Sequence, residues 1–446
     1  MSTRISQDDK IVIVMGLTGA GKSKFIEYAT GSNGNSVGHS WRSHTSDIQT
    51  VRAVHPANGG PVVFVDTPGF DGTFKSDEEI LAIIVDWLTK AKKAKVSTIL
   101  YLHRMSDNRM SQSATKNIRL FRSICGKHAM PNVVIVTTMW SKVGRKDGID
   151  REDELKKEVW HEMLDDGCKI ERFEDTRESA WRIVCNIMKN PGASLLIQDE
   201  MTGDTQESPI ETTASYYLAG TAENNSPPAR ASANVLLSTK LEKLIKGLKI
   251  AVPKLKLAMK SARPQYENMV VVMGLTGVGK SQFIERATRS NGDSVGHSWR
   301  SRTSDVRAVR AVNPANGSPV VFVDTPGFND TFKSDEEILT IITDWLTKAK
   351  KAKVSTILYL HRMSDNRMSG SAMKNLQLFR SICDKKAMPN VAIVTTMWSK
   401  VGREDGILWE EVLKKEVWDD MVVNGCKIER FEDTYQSAWD IVNKFF

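Results

Sequence analysis

The chain has 446 residues, of which 40% are apolar and 26% charged, and carries a formal net charge of +8. This composition is typical of soluble globular protein, and the mild positive charge permits anionic partners without selecting one. Five widely spaced cysteines without a C-x-x-C pair favour neither a disulfide framework nor a zinc site. The N-terminus lacks an apolar signal core, and no apolar run approaches the roughly 20 residues that span a bilayer, so we expect a cytoplasmic location.

An internal repeat covers most of the chain. Gly16 corresponds to Gly274 and Asp66 to Asp324, and the offset holds without a gap through both copies. A repeat of this length predicts a duplicated domain rather than a solenoid unit. We call the two domains copy one and copy two. The expected organisation is copy one at 8–189, a polar, disordered linker at 190–233, a basic amphipathic helical segment at 234–263 and copy two at 266–446.

The first strong motif is G-x-x-x-x-G-K-S, which runs from Gly16 to Ser23. An apolar run precedes it and a helix-like stretch follows, so the sequence predicts strand, phosphate-binding loop and helix. We expect Lys22 to reach the β- and γ-phosphates and Ser23 to bind Mg²⁺. The predicted phosphate-loop residues are Gly16, Thr18, Gly19, Ala20, Gly21, Lys22 and Ser23 in copy one, and Gly274, Thr276, Gly277, Val278, Gly279, Lys280 and Ser281 in copy two.

A loop rich in Gly, Ser and Asn follows and leads into an alternating run typical of a strand. P-loop GTPases keep a threonine in this loop that joins Mg²⁺ when the γ-phosphate is present. Thr45 and Thr50 are the candidates. Copy two retains the first as Thr303 and replaces the second by Ala308, which favours Thr45 and Thr303 as metal ligands. An ordinary hydroxyl in a flexible loop is the alternative.

The second strong motif is D-T-P-G, which follows the apolar run 61–65. An aspartate at the end of a strand near the phosphate loop can hold Mg²⁺ through water, so Asp66 and Asp324 are predicted metal residues. The glycine three residues later can offer its N–H to the γ-phosphate, so Gly69 and Gly327 are predicted to sense that phosphate.

An apolar residue follows this glycine in both copies, as Phe70 and Phe328. Many small GTPases carry a water-orienting glutamine there, and an apolar side chain cannot orient water. The sequence therefore predicts slow intrinsic hydrolysis or help from another group. Asp71 is one candidate, but its counterpart is Asn329, which argues against an essential carboxylate.

A helix is predicted at 76–93 and a strand at 96–105, which delivers polar residues to the sheet edge where ligands bind. Arg104 and Arg109 are weak candidates for arginine fingers, as are their counterparts Arg362 and Arg367. The favoured alternative is a salt bridge, for example to Asp107.

A helix at 111–125 and a strand at 131–140 lead to the position of a guanine-recognition motif, usually N/T-K-x-D. The register gives Thr138 and Ser141 there, and Thr396 and Ser399 in copy two. A serine hydroxyl can accept one hydrogen bond but not a charge-assisted pair, so the motif alone does not secure guanine over adenine. Met139 or Trp140 is expected to replace the lysine stem that packs on the base. A helix at 152–166 closes the copy, and no S-A-K loop is evident.

These motifs, together with the wording YLHRMSDNRM and VTTMWSKVG, resemble the septin-like branch of the P-loop GTPases and fungal G-domain proteins. That branch includes septins, the Toc receptors of chloroplast import and the immunity-associated GTPases. The resemblance covers both copies. It implies GTP/GDP and Mg²⁺ as ligands, and pairing of G domains within or between chains.

The segment 234–263 carries leucines on one helical face with lysines elsewhere, and Pro253 interrupts it. Such a helix can lie on an anionic membrane, dock on its own domain or form a helical pair. Docking or pairing is favoured over the membrane because the stripe is short and lacks Trp or Phe. No nucleic-acid partner is indicated, and the sequence names no protein effector.

The sequence thus predicts an α/β fold with two tandem P-loop NTPase (G-domain) folds, each a mostly parallel sheet with helices on both faces. The expected function is a GTP-binding switch with slow, partner- or dimer-dependent hydrolysis. The alternatives are a non-hydrolysing scaffold that binds nucleotide, and an NTPase without strict guanine specificity.

Overall fold

The computed structural model divides into two compact units, each of which contains one six-stranded sheet. Within the parts of the chain that the structure describes, no helix is both long and apolar enough to cross a bilayer. The described residues are 6, 9–31, 45–73, 75–90, 96–107, 109–188, 192, 193, 195, 267–289, 305–330, 332–348, 352–365, 367–383 and 385–446.

The first unit is a six-stranded sheet with its helices. Its strands are β1 Lys10–Gly16, β2 Gln49–Val54, β3 Pro61–Asp66, β4 Val96–Arg104, β5 Val133–Thr138 and β6 Lys169–Arg172. Its helices are α1 Lys22–Thr30, α2 Asp77–Lys90, α3 Gln112–Cys125, α4 Arg145–Glu158, α5 His161–Asp165 and α6 Arg177–Ile187.

The strand order is β2-β3-β1-β4-β5-β6, and only the edge strand β2 runs antiparallel to its neighbour. Parallel strands covered on both faces read as continuous apolar runs, which is the pattern of β1, β3, β4 and β5. The carboxyl ends of β1 and β3 lie side by side, because Val14 pairs with Asp66. This register brings the two strong motifs together.

The alternation along β4 shows that helices cover both faces of the sheet. Leu100 and Leu102 belong to a buried cluster with Phe25 of α1 and Trp181 of α6. Tyr101 points to the opposite face, where its ring lies 4.7 Å from Phe121 of α3. Each face therefore has its own apolar cover, and the predicted fold class is confirmed.

The second unit repeats this architecture, with strand order β12-β11-β10-β7-β9-β8. Its strands are β7 Glu267–Gly274, β8 Arg307–Val312, β9 Pro319–Asp324, β10 Ala352–Arg362, β11 Val391–Thr396 and β12 Lys427–Arg430. Its helices are α7 Lys280–Thr288, α8 Asp335–Lys348, α9 Gly370–Ile382, α10 Arg403–Glu416, α11 Asp419–Val423 and α12 Tyr435–Val442.

Two features of the closing region differ from expectation. The single helix predicted at 152–166 is wrong: α4 ends at Glu158, and α5 begins at His161 after the buried Trp160. The short strand β6 was not predicted, because its four residues are polar or half-buried. The predicted linker, except for residues 192, 193 and 195, and the basic helical segment at 234–263 lie outside the described residues.

Candidate functional site

The phosphate loop, which joins β1 to α1, begins at Gly16 in close contact with the neighbouring strand β4. Gly16 has a φ of 139°, and a Cβ built there would lie 2.5 Å from the carbonyl oxygen of Leu102 on β4. Both its conformation and its surroundings therefore require glycine. Gly274 repeats this, with a φ of 140° and a Cβ position 2.6 Å from the oxygen of Leu360.

Lys22 is the first residue of α1, and its ammonium group lies inside the loop. It donates hydrogen bonds to the carbonyl oxygens of Gly16 at 3.1 Å and Leu17 at 3.0 Å. Burial lowers the pKa of Lys22 to about 8, although the nearby Asp66 carboxylate acts in the opposite direction. A buried ammonium ringed by carbonyl oxygens provides a positive charge where a phosphate would be bound.

The three predicted metal residues of copy one converge. The Ser23 hydroxyl donates to Oδ2 of Asp66 at 2.7 Å, and the Thr45 hydroxyl lies 3.5 Å from both of these groups. Oδ1 of Asp66 is buried without a hydrogen-bond partner among the described residues. An unpartnered carboxylate oxygen beside two hydroxyls fits a hard cation such as Mg²⁺, which prefers oxygen ligands.

Copy two has the same arrangement where it is described. Ser281 donates to Oδ2 of Asp324 at 2.7 Å, and Oδ1 of Asp324 is likewise buried and unpartnered among the described residues. Burial lowers the pKa of Lys280 to about 8. Thr303, the predicted third metal residue, lies outside the described residues.

The D-T-P-G segment lies against the phosphate loop. Thr18 donates its backbone N–H to the oxygen of Phe70 at 2.8 Å and its hydroxyl to the oxygen of Gly69 at 3.1 Å. A Cβ on Gly69 would lie 2.6 Å from the Thr18 hydroxyl and 2.8 Å from the Lys22 ammonium. Only glycine fits this close to the lysine, so the backbone of Gly69 lies where it can respond to a phosphate.

Phe70 and Phe328 point away from the loop into the core. Each is at most 1% exposed. These side chains therefore fill the interior and anchor the segment that follows Gly69 or Gly327, which we call the switch glycine of each copy. Neither presents a polar atom that could orient water.

The candidate arginines fall into two groups. Arg104 and Arg362 donate from Nε to Asp107 at 2.7 Å and Asp365 at 2.6 Å, which is the salt bridge expected as the alternative to a finger. The other two candidates, Arg109 and Arg367, are partly buried in the loops after β4 and β10.

Thr138 and Thr396 connect the segment predicted to recognise the base with the loop that joins β1 to α1, or β7 to α7. The Thr138 hydroxyl donates to the oxygen of Ala20 at 3.0 Å, and that of Thr396 donates to Val278 at 2.9 Å. Both threonines are buried, so they position the loop. The predicted Ser141 and Ser399 are exposed.

Trp140 is held in place by its neighbours. The Arg172 guanidinium lies 4.2 Å from the ring centroid, and the Cβ position of Gly148 lies 2.8 Å from the edge of the ring. The indole N–H donates to Thr137. Because Arg172 already occupies a face of this ring, the arrangement favours Met139 as the apolar residue of the motif that could pack on a base.

A buried carboxylate holds this stack. Glu152 accepts two hydrogen bonds from Arg172, at 2.7 and 3.2 Å, and one from Lys156 at 3.1 Å. Burial would raise the pKa of the Glu152 carboxyl, but these hydrogen bonds outweigh it and hold the pKa below the usual value of 4.5. Copy two repeats the stack with Glu410, Arg430 and Trp398.

In copy two, a cavity of about 530 Å³ opens beside this stack, within the usual range for ligand pockets. It joins the phosphate loop at Gly279, the segment at Met397 and Ser399, and the loop after β12 at Glu432 and Asp433. Its walls therefore combine the predicted phosphate and base regions.

Sequence reasoning missed the loop after β12 and the carboxylates Glu152 and Glu410. The R-F-E-D-T wording is repeated in both copies, and Asp433 adopts a φ of 58° while accepting hydrogen bonds from Gln282 at 2.9 Å. This repeated wording could have identified the loop, but the loop lacks the S-A-K pattern by which base-binding loops of GTPases are usually found.

A family model described as 50S ribosome-binding GTPase matches residues 11–138 and 269–395, more than half of the chain. The chain belongs to this GTPase family. Each copy is therefore a GTPase-family domain.

Other similarities are partial. The Fe(2+) transporter FeoB of Synechocystis is 34% identical over 84 residues, which span 18% of this chain and 13% of that protein. The structure of Toc33 from Arabidopsis thaliana, solved with GDP and Mg²⁺, has a TM-score of 0.34 and 17% sequence identity to this chain. The match covers 41% of this chain and 84% of the Toc33 chain. A single-residue variant of Era from Aquifex aeolicus, bound to GDP and AlF4⁻, has a TM-score of 0.32 and 17% identity, over 42% of this chain and 59% of its own.

Proposed function

We propose that each GTPase domain binds a guanine nucleotide with Mg²⁺ and acts as a switch in which the γ-phosphate orders the two loops beside it. The observation that carries this proposal is the convergence of Lys22, Ser23, Thr45 and Asp66 at the ends of β1 and β3. In this assignment Mg²⁺ would neutralise charge on the phosphates. Asp66 and the two hydroxyls hold it, and Lys22 binds the phosphate oxygens.

In the proposed switch, Gly69 and Gly327 donate their backbone N–H groups to the γ-phosphate. The close approach of Gly69 to Thr18 and Lys22, and of Gly327 to Thr276, supports this assignment. The segment after each glycine begins with a buried phenylalanine, so a shift of the glycine transmits to the core. Hydrolysis is expected to be slow, because Phe70 and Phe328 cannot orient water.

Recognition of guanine is assigned to the region around Met139 and Thr138, and around Met397 and Thr396 in copy two. The methionine is proposed to pack on the base, since the Trp140 ring is already covered by Arg172. Ser141 and Ser399 offer a hydroxyl acceptor in place of the usual carboxylate. Competition by ATP as strong as by GTP would overturn the guanine assignment.

The experiment is nucleotide retention by the full chain with Lys22→Ala and Lys280→Ala combined. We expect the double variant to lose bound nucleotide, because both phosphate sites lose their buried charge. Retention equal to the unsubstituted protein would contradict the proposal. The charge-retaining Lys22→Arg and Lys280→Arg pair is the matched control for folding.

A second candidate function is a scaffold that binds nucleotide without hydrolysing it. The burial of Phe70 and Phe328 favours it, because neither copy has a water-orienting side chain after the switch glycine. The resemblance to septin-like GTPases instead favours pairing of G domains. Turnover per molecule that rises with protein concentration would support the pairing and contradict the scaffold.

A further inference from the structure

The two copies differ in charge beside the switch glycine. Copy one reads Asp71 and Gly72 where copy two reads Asn329 and Asp330, so the carboxylate moves along the chain by one residue. The two copies therefore differ in the charge next to Gly69 and Gly327 while their phosphate loops keep the same lysine and serine.

The side-chain position at this residue lies beside the phosphate loop. A Cβ built on Gly72 would lie 3.1 Å from the oxygen of Gly69 and 3.6 Å from the hydroxyl of Thr18. Thr18 in turn donates to Gly69, whose Cβ position is 2.8 Å from the Lys22 ammonium. A side chain at position 72 thus begins within one residue of the groups assigned to the γ-phosphate.

In copy two this position holds a buried carboxylate. Asp330 is 5% exposed, and its Oδ1 accepts hydrogen bonds from the backbone N–H groups of Phe332 at 2.9 Å and Lys333 at 3.3 Å. Asp330 is also close enough to act on Lys280. Burial lowers the pKa of that lysine, and the carboxylates of Asp324 and Asp330 both oppose the fall.

We propose that Asp330 makes copy two favour a nucleoside diphosphate over a triphosphate, whereas copy one, with Gly72, accepts the γ-phosphate without this penalty. The inference rests on the proposed function. In the proposed assignment the γ-phosphate binds Lys280, the lysine on which the Asp330 carboxylate acts, so the two negative charges repel each other. Asp330 also neutralises part of the Lys280 charge that would otherwise attract the γ-phosphate.

The two hydrogen bonds from the backbone of Phe332 and Lys333 to Asp330 are a second cause to be separated from charge, because they hold the chain beside the site. Asp330→Asn keeps an oxygen that can accept the two backbone hydrogen bonds and removes the charge. Asp330→Gly removes both. Comparison of the two variants separates repulsion from loop order.

The experiment measures the ratio of affinities for GDP and a non-hydrolysable GTP analogue in the full chain. Copy two is read in a Lys22→Ala background and copy one in a Lys280→Ala background. We expect both Asp330→Asn and Asp330→Gly to shift copy two toward the triphosphate analogue by about tenfold. Gly72→Asp is expected to shift copy one by a similar factor toward GDP, and thermal melting verifies that this crowded variant folds.

An unchanged ratio in Asp330→Asn, with both nucleotides still bound, would overturn the inference. A shift seen only in Asp330→Gly would overturn it as well, because it would assign the effect to those two hydrogen bonds. Absence of nucleotide binding by the unsubstituted chain would instead contradict the proposed function itself.

Discussion

The two copies agree most closely where a phosphate would be held and differ around it. The lysine donates to the same two loop carbonyl oxygens in both copies, and the serine donates to the strand-end aspartate at 2.7 Å in both. Differences occur beside the switch glycine and at the far edge of the sheet. There copy one pairs Cys185 with His55 at 3.2 Å, and copy two pairs Asn443 with Asn313 at 2.8 Å.

The same fold therefore tolerates changes that leave the phosphate loop intact. The Cys–His pair and the Asn–Asn pair join the same two positions, so a link there matters more than its chemistry. The carboxylate beside the switch glycine is different, because it alters charge next to the proposed γ-phosphate.

The largest effect is expected for alanine at Gly16 or Gly274. The new methyl group would meet a backbone oxygen at 2.5 Å in copy one and 2.6 Å in copy two, and the residue would need a positive φ. We expect a loss of about 3 kcal/mol or more in unfolding free energy for the affected domain. Chemical denaturation measures it. Gly59→Ala is the control, since its φ is 68° but no atom lies within 4 Å of the new Cβ.

Removal of the buried carboxylate should weaken each copy equally. Glu152→Gln and Glu410→Gln each lose charge-assisted hydrogen bonds from an arginine and a lysine, and we expect a loss of about 2 kcal/mol in unfolding free energy. Because the pKa of each glutamate is lowered by folding, its contribution is present above pH 4.5 and is lost as the pH falls below that value. Denaturation curves at about pH 7 and about pH 4 should show a smaller difference between variant and parent at the lower pH. A difference that does not change with pH would contradict this assignment.

Nucleotide binding should take up protons above neutral pH in both copies. Lys22 and Lys280 have pKa values of about 8 without nucleotide, and a phosphate favours the charged form. Affinity is therefore expected to fall as the pH rises from about 7 to about 9, by about tenfold per unit at most. Calorimetry in buffers of different ionisation enthalpy measures the uptake. Proton release near the pKa of these lysines would show that they are not the phosphate ligands.

The smallest effect is expected at the pair of Cys185 and His55 at the edge of the sheet. Among the five cysteines, Cys185 is partly exposed and the other four are buried, so a thiol reagent should label about one cysteine per folded chain, at Cys185. The double variant Cys185→Asn with His55→Asn gives copy one the asparagine pair of copy two. It should remove this labelling and change the free energy of unfolding by less than about 1 kcal/mol. A larger loss would mean that the two pairs are not equivalent.

The fold and the convergence of the two motifs were predictable because both depend on local sequence. Apolar runs and the spacing from Gly16 to Ser23 and from Asp66 to Gly69 identify elements that the parallel register then brings together. Glu152 and Arg172 were not predictable, since their pairing joins α4 to a polar four-residue strand. The role of Asp330 appears only when the space at Gly72 is known.

The most direct test of nucleotide binding by both copies is competition between GTP and ATP in the full chain. Copy two is measured in the Lys22→Ala variant and copy one in the Lys280→Ala variant. We expect one guanine nucleotide to bind per intact copy, with GTP preferred over ATP in both. Equal affinity for ATP, or binding by one copy alone, would contradict the claim that the chain carries two guanine-nucleotide switches.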